Sequence, residues 1–336
     1  MKRMSHLLVS PELWLLLAAT NPFQNSAAPN RDGVDFKAID EHVTDRMRSA
    51  RLPGLALVIV KGDRIVYAKG YGRADQSGRP VTPQTPFLIG SVTKPFTALA
   101  VMQLVEAGKV ELDAPVQRYI PWFRVADARA SSRTTVRQLI YQTSGMPQPV
   151  TSQTMTQADD KALERAVRSL ANVKPIGPPG RSFTYSNGNY NTLGMIVQTV
   201  SGQSYEEYGK QHIFAPLDMR NSYASQDEAL QRGMASGYRW WFGIPVAATL
   251  PFYRSDLPSG YLISSVEDMG HFLIAQMNGG RYRESSVLSP EGIALTHIMP
   301  ASSPYGMGWE SVESNGHTLI DHDGGTPNFQ FPRPAY

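Results

Sequence analysis

Ser91 and Lys94 form an S-x-x-K motif, a pattern whose residue types and spacing suit covalent catalysis. A serine nucleophile needs a base within hydrogen-bonding reach and donors directed at the oxyanion that develops during attack. If a helix begins here, residues three apart share one face, and the amine of Lys94 can reach the hydroxyl of Ser91. A capping serine followed by a solvated lysine gives the same pattern, so the motif alone does not identify a nucleophile.

Tyr185 and Asn187, within a predicted loop over 181–190, form a second candidate pair. A tyrosine beside an ammonium group can be held as phenolate or can relay a proton, because a positive charge favours the ionised phenol. Asn, Gly and Ser also cluster in turns for local hydrogen-bonding reasons. Taken alone, Y-x-N is therefore more typical of an ordinary turn.

The segment from His322 to Gly325, at the end of a predicted strand, is the third candidate. Gly324 and Gly325 would let the backbone approach a ligand closely and present an N–H group to it. The histidines and aspartates between 317 and 323 could instead suggest a metal site. Alternation along a strand places His322 on the face opposite the other possible ligands, so we expect no metal and no other cofactor.

Periodicity in the sequence predicts the elements that position these groups. Apolar residues at helical spacing predict helices over 35–50 and 93–108, and Ser91 lies just before the second of them. Strands are predicted over 54–60, 65–72, 306–312 and 317–322, and further helices over 135–142, 160–171, 191–201, 204–213 and 265–278.

Strands at both ends of the chain, with helices between them, predict an α+β architecture. A sheet domain would be built from residues 35–85 and 290–336, and a mainly helical domain from residues 86–289. The cleft between two such domains is the expected position of a binding site.

Composition restricts the classes of function. The chain has 336 residues, 41% of them hydrophobic and 18% charged, which is typical of a globular protein. Its formal net charge is only +3 and no run of five like charges occurs, so we expect no nucleic-acid partner. The absence of cysteine excludes disulfides, thiolate zinc sites and cysteine nucleophiles.

Residues 1–28 resemble an export signal. Lys2 and Arg3 precede the apolar run 13–19, and small residues follow at 26–28. We therefore expect an exported protein, periplasmic or extracellular. A cytoplasmic protein with an uncleaved, disordered amino-terminal arm is the alternative.

The three motifs each occur once, in the order S-x-x-K, Y-x-N and H-x-G, and together they resemble the serine β-lactamase and penicillin-binding-protein superfamily. The closer resemblance is to its class C-like branch, which includes the family VIII carboxylesterases and the D-aminopeptidases. Supporting matches lie at 53–54, 87–91, 135–145, 185–194, 258–265 and 306–309. The resemblance implies a β-lactamase/transpeptidase-like fold, with an antiparallel sheet domain flanked by helices, an all-helical domain and the active site in the cleft between them.

The resemblance also implies a role for each motif residue. Ser91 would be the acylated nucleophile, Lys94 and Tyr185 its base, and Asn187 the residue that positions this pair and the substrate. The oxyanion hole would lie at the H-x-G segment, formed by the backbone N–H groups of Ser91 and Gly325, with Gly324 beside them.

Two departures from the superfamily's pattern bear on substrate and site. His322 stands where the β-lactamases carry the lysine of K-T-G, and a neutral imidazole supplies mainly a donor in place of a fixed charge. We therefore expect carboxylic ester substrates, with a β-lactamase, D,D-peptidase or D-aminopeptidase acting on amides as the alternative. Gln142 stands where many members have histidine, which we regard as minor.

Two further segments carry expectations about partners. The aromatic stretch 238–245, which includes Trp241, could floor an acyl pocket, touch a membrane surface or simply pack over the helical domain. The resemblance covers roughly Asp35 to Phe329. Members of the superfamily continue after the H-x-G strand through two more strands and a helix, whereas this chain stops after Phe331-Pro332. These elements are expected to be missing, which would leave a sheet edge for oligomer formation or make the chain an inactive truncated remnant or a peptidoglycan-binding module.

Overall fold

The computed structural model describes residues 34–148, 159–248, 252–301, 303–314 and 316–326. The predicted signal over 1–28 and the proline-containing end from Phe331 lie outside these residues. The expectation that two strands and a helix are missing after the H-x-G strand also concerns a part of the chain outside them. Within the described ranges, no helix is both long enough and apolar enough to cross a membrane.

The described residues form eleven α-helices and ten strands. The helices are α1 (Phe36–Ala50), α2 (Thr93–Glu106), α3 (Ala128–Arg133), α4 (Val136–Ile140), α5 (Ala162–Ser169), α6 (Asn187–Ser201), α7 (Tyr205–Gly209), α8 (Gln226–Gln231), α9 (Leu257–Gly260), α10 (Val266–Met277) and α11 (Pro290–Thr296). The strands are β1 (Gly54–Lys61), β2 (Arg64–Gly72), β3 (Phe87–Leu88), β4 (Gly237–Trp241), β5 (Ile244–Ala248), β6 (Ile263–Ser264), β7 (Arg281–Tyr282), β8 (Ser285–Ser286), β9 (Glu310–Ser314) and β10 (His317–Asp321).

The amino-terminal hairpin forms where the sequence predicts it. The β1 and β2 strands pair antiparallel, from Gly54 opposite Gly72 to Lys61 opposite Arg64. Helix α10 packs across both strands, and a Cβ on Gly270 would lie only 2.7 Å from the Ile65 side chain. The helix that covers this hairpin therefore comes from within the range 86–289, which the sequence assigns to the helical domain.

Within the described ranges, the strands near the two ends of the chain do not form the single sheet that the sequence predicts. Among the described residues, β1 pairs only with β2, and β9 pairs only with β10. Three short ladders, β3–β6, β4–β5 and β7–β8, lie within the region predicted to be helical. The chain that follows the β9–β10 hairpin instead packs closely against residues 89–91, just before the start of α2.

Helix α2 forms the centre of the main hydrophobic core. It is buried on nearly every side and packs against α6, α9, α11 and α7, as expected of a helix that is apolar all round. Phe96 stacks on Phe272 of α10 with ring centroids 4.0 Å apart. This packing fixes the start of α2, where the S-x-x-K motif lies.

Candidate active site

Ser91 lies in a 3₁₀ turn, Gly90–Val92, that leads directly into α2. Gly90 has a φ of +56°, and a Cβ at this position would lie 2.6 Å from the backbone nitrogen of Gly325. Glycine is therefore required for both the backbone conformation and the close approach. The turn places the Ser91 hydroxyl at the amino-terminal end of a helix, where the dipole favours developing negative charge.

Lys94 is completely buried and contacts three other elements of the site. Its Nζ donates to Ser91 Oγ at 3.0 Å, to Asn187 Oδ1 at 2.8 Å and to the carbonyl oxygen of Ser259 at 2.6 Å. Burial lowers the pKa of Lys94 to about 7, although the carboxylates of Asp256, Asp323 and Glu310 oppose the shift. When the amine loses a proton near neutral pH, it keeps two N–H groups for Asn187 Oδ1 and the Ser259 carbonyl, and its lone pair can accept the proton of the Ser91 hydroxyl.

Tyr185 lies beside Ser91 and Lys94. Its ring centroid is 4.6 Å from Lys94 Nζ. Burial raises the pKa of Tyr185 well above its ordinary value, and the nearby Ser91 side chain only partly opposes this shift. The phenol is thus neutral, so of the two roles that the sequence left open the structure favours proton relay over a standing phenolate.

Asn187 opens a helix, so the prediction of a loop over 181–190 is wrong at its end. It is the first residue of α6, and Ser186 is the N-cap. The Ser186 side chain makes no capping bond; its Oγ donates to the carbonyl of Pro147, and Gln148 Oε1 accepts from the Asn187 N–H. Groups distant in sequence therefore provide the hydrogen bonds at the start of α6, which explains why local sequence patterns suggested a turn.

The glycines after β10 meet the nucleophile turn. A Cβ on Gly324 would collide with the carbonyl oxygen of Ile89 and would lie 3.1 Å from the Ser91 nitrogen. Gly325 packs against Gly90, as described above. The two backbone segments assigned to the oxyanion hole are thus adjacent, and their N–H groups belong to the same small region.

His322 is buried, and both of its ring nitrogens are used inside the protein. Nδ1 lies 2.5 Å from the carbonyl oxygen of Asp323, so Nδ1 carries the proton, and Nε2 accepts from the Tyr305 hydroxyl at 2.8 Å. Burial and the nearby Lys94 lower the pKa of His322 to about 3. The expectation that this imidazole offers a donor to substrate is therefore wrong, because its one N–H is already engaged.

Sequence reasoning missed Tyr305. This side chain is fully buried and lies edge-on to Tyr185, with ring centroids 5.9 Å apart. It connects the Y-x-N motif to His322 by ring contact and hydrogen bond. The available signal was its position immediately before the G-M-G-W segment at 306–309, one of the matches to the superfamily.

Three carboxyl groups lie near the H-x-G segment. Glu310 of β9 is directly opposite Asp321 of β10, and Asp323 follows two residues later. Burial, with the neighbouring carboxylates, raises the pKa of Glu310 to about 7 and that of Asp321 to about 6. In the part of the chain that the structure describes, no group of three or more histidines and carboxylates is arranged to hold a metal ion.

Trp241 lies apart from this arrangement. It is 68% exposed at the end of the β4–β5 hairpin, where it contacts the ring of Phe242, and the carbonyl of Gly243 accepts from Arg51. Among the described residues, no hydrogen bond or ring contact joins Trp241 to Ser91 or Lys94. A role for Trp241 in binding an acyl group stays a prediction.

The fold and the arrangement of the site are those typical of the β-lactamase and penicillin-binding-protein superfamily. The Beta-lactamase family model matches residues 39–335, and the chain belongs to this family. The fold prediction, an α+β architecture of the β-lactamase/transpeptidase type, is confirmed.

Individual relatives agree with this assignment. The chain is 31% identical over 293 residues to Protein flp of Staphylococcus aureus (strain MW2), a match that covers 87% of this chain and 58% of the relative. It is 32% identical over 289 residues to Penicillin-binding protein 4 of Amycolatopsis lactamdurans, covering 81% of this chain and 74% of that protein. The chain thus spans less than two thirds of the length of the flp proteins.

A solved structure is similar to most of this chain. It is the octameric penicillin-binding protein homologue from Pyrococcus abyssi, which superposes with a TM-score of 0.75 at 30% sequence identity. The match covers 87% of this chain and 68% of that one.

Proposed function

We propose that this protein hydrolyses carboxylic esters with short to medium acyl chains, through an acyl-enzyme on Ser91. We place it in the class C-like branch, next to the family VIII carboxylesterases. Membership of a family of serine hydrolases supports the covalent route, and the contacts of His322 support the choice of esters.

Acylation follows from the contacts of Ser91. Its Oγ attacks the ester carbonyl carbon while its proton passes to the neutral amine of Lys94, with the Tyr185 phenol as relay. The N–H groups of Ser91 and Gly325 hold the oxyanion. The tetrahedral intermediate then collapses, the C–O bond to the leaving alcohol breaks, and the alcohol takes the proton held by Lys94.

Deacylation repeats these steps with water in place of the serine. Water attacks the acyl carbon and gives a proton to the same base, and the bond to Ser91 Oγ breaks. The free acid leaves, and Ser91 recovers its proton from the base. All atoms transferred in the two steps come from the ester, water and the side chains of Ser91, Lys94 and Tyr185.

The choice of substrate rests on one observation: both ring nitrogens of His322 are hydrogen-bonded within the protein. An anionic substrate needs a positive charge or free donors, but this imidazole is neutral and its N–H is bonded to the Asp323 carbonyl. Lys94 Nζ is already within hydrogen-bonding distance of three protein oxygens, and Glu310 and Asp323 place carboxyl groups nearby. A neutral ester is unaffected by this, whereas a penicillin carboxylate or a peptide carboxy-terminus finds neither a positive charge nor a free donor on His322.

Labelling of the nucleophile tests this proposal. The full chain would be incubated with p-nitrophenyl butyrate, and separately with a fluorophosphonate probe, and intact mass would be measured. We expect a burst of p-nitrophenol and a single probe adduct, both lost in Ser91→Ala and kept in Ser132→Ala, a control at an exposed serine of α3. Folded protein that takes no label would instead support an inactive remnant or a peptidoglycan-binding module.

Hydrolysis of β-lactams or D-peptides is the second candidate. The names of two matches, a penicillin-binding protein and a penicillin-binding protein homologue, favour it. Turnover of nitrocefin or of a D-Ala-D-Ala peptide with a higher kcat/KM than p-nitrophenyl butyrate would replace the ester proposal with this one. The acyl-enzyme on Ser91 would be common to both.

A further inference from the structure

Gln142 contacts the backbone on both sides of the proton-relay tyrosine. Its carbonyl oxygen accepts from the Thr184 N–H at 2.8 Å, and its side-chain Oε1 accepts from the Ser186 N–H at 3.0 Å. Tyr185 lies between these two anchored residues. Gln142 is fully buried, so no solvent competes for these bonds.

The orientation of the Gln142 amide is determined by a second contact. Ser144 Oγ donates to Asn189 Oδ1 at 2.6 Å, so the amide nitrogen of Asn189 is the group that faces Gln142. That nitrogen donates to Gln142 Oε1 at 2.5 Å. Gln142 therefore also holds the first turn of α6, which carries Asn187, the partner of Lys94.

Two features of Gln142 are unfavourable for folding. Its backbone has a φ of +58°, a conformation that non-glycine residues rarely adopt. Its Nε2 is buried and has no hydrogen-bond partner among the described residues. Strained or unsatisfied groups that persist in a well-packed region point to a function that depends on them.

We propose that Gln142 is a positioning residue, which holds Tyr185 against Ser91 and Asn187 against Lys94 through its contacts with Thr184, Ser186 and Asn189. This inference rests on the proposed hydrolysis through Ser91. The earlier view that glutamine here is a minor departure is thereby revised, because its acceptor oxygen connects directly to the Y-x-N motif.

Gln142→Met removes the acceptor while keeping an unbranched side chain of similar length. Gln142→His restores a neutral acceptor nitrogen at comparable reach. Gln138→Met is the matched control, because Gln138 Oε1 also accepts from a backbone N–H, that of Thr135, but in the capping box of α4, away from Tyr185.

The measurements are kcat and KM for p-nitrophenyl butyrate, the pH dependence of kcat, and Tm. We expect Gln142→Met to lower kcat on the order of 100-fold, the range for misplaced acid–base groups, with KM changed less than about threefold. The apparent pKa of its rate profile should also move, since the contact between Asn187 and Lys94 is disturbed. Gln142→His should recover most of kcat, and Gln138→Met should lower Tm alone.

The inference is overturned if Gln142→Met lowers Tm as Gln138→Met does while leaving kcat and the pH profile unchanged. Should Gln142→Met not fold, Ser144→Ala provides the second test, because it frees the Asn189 amide that orients Gln142. A smaller fall in kcat in this variant supports the inference, and an unchanged kcat opposes it. If the wild-type protein takes no probe at Ser91, the proposed function itself fails, which is a separate result.

Discussion

Lys94 Nζ lies 3.0 Å from Ser91 Oγ, and the same amine also bonds Asn187 of α6 and the Ser259 carbonyl of α9. The residue proposed as base is thus the point at which three helices, α2, α6 and α9, meet. Because Lys94 is buried there, its charge depends on the folded structure, and so does the reactivity of Ser91.

The pH dependence of acylation should follow Lys94. Burial lowers the pKa of this amine to about 7, so it is protonated and inactive as a base below that pH and neutral above it. We expect the rate of a single acylation turnover to rise between about pH 6 and 8 and then to level off. A rate that is flat from pH 5.5 to 9 would contradict this assignment.

Replacement of Lys94 tests the same group chemically. Lys94→Arg keeps a positive charge that cannot be removed, so we expect acylation to fall about 10³-fold or more, in the range for loss of a general base. Lys109→Met, at an exposed lysine just after α2, should leave the rate unchanged. Comparable rates in Lys94→Arg and wild type would exclude Lys94 as the base.

The close contact of the Gly90 turn with Gly325 leads to a prediction about the oxyanion hole. Gly90→Ala would push its methyl group against the Gly325 nitrogen, 2.6 Å away, so we expect kcat to fall at least about 100-fold. Gly62→Ala is matched in backbone conformation, with a φ of +61°, but its Cβ meets nothing within 4 Å. It should cost only about 1 kcal/mol of stability and no activity. Equal kcat losses in the two variants would show that strain in the left-handed backbone conformation, and not the contact with Gly325, causes the loss.

The parts of this site that the sequence predicted are local in the chain. Ser91 and Lys94 are three residues apart at a helix start, and the predicted helices over 35–50 and 93–108 correspond to α1 and α2. The rest depends on contacts between distant segments. The bond from Tyr305 to His322 and that from Ser186 to Gln142 leave no periodic signal, so the donor role of the imidazole and the loop at Asn187 were predicted wrongly.

Because the His322 imidazole is neutral and hydrogen-bonded within the protein, replacing it by lysine should change the preference between anionic and neutral esters. The substrates are mono-p-nitrophenyl adipate, whose acyl chain ends in a carboxylate, and p-nitrophenyl hexanoate, which is neutral and of the same length. His322→Lys supplies a positive charge, so we expect its kcat/KM ratio of adipate to hexanoate to rise on the order of tenfold, about 1.4 kcal/mol. His317→Lys, at an exposed histidine that begins β10, should not change the ratio. A similar rise in both variants would point to general surface charge.

The exposure of Trp241 predicts that it does not select the acyl chain. Because its ring contacts Phe242 at the tip of a hairpin, Trp241→Ala should change kcat/KM by less than about twofold on acetate and octanoate esters alike. A loss confined to octanoate would restore the acyl-pocket interpretation. Sedimentation with anionic phospholipid vesicles, wild type against Trp241→Ala, would test the membrane contact expected from the sequence.

The facing carboxyl groups of Glu310 and Asp321 should make stability depend on pH. The pKa of Glu310 is raised to about 7 from an ordinary value of 4.5, so the folded state holds a proton that the unfolded state has already lost between these values. The free energy of unfolding should therefore decrease as pH rises from about 4.5 to 7. Glu310→Gln should reduce that decrease in urea titrations at pH 5 and pH 8, whereas Glu313→Gln, exposed on the same strand, should not. If all three proteins lose stability equally over this interval, the pH dependence arises outside this pair, and burial beside the neighbouring carboxylates does not raise the pKa of Glu310 as proposed.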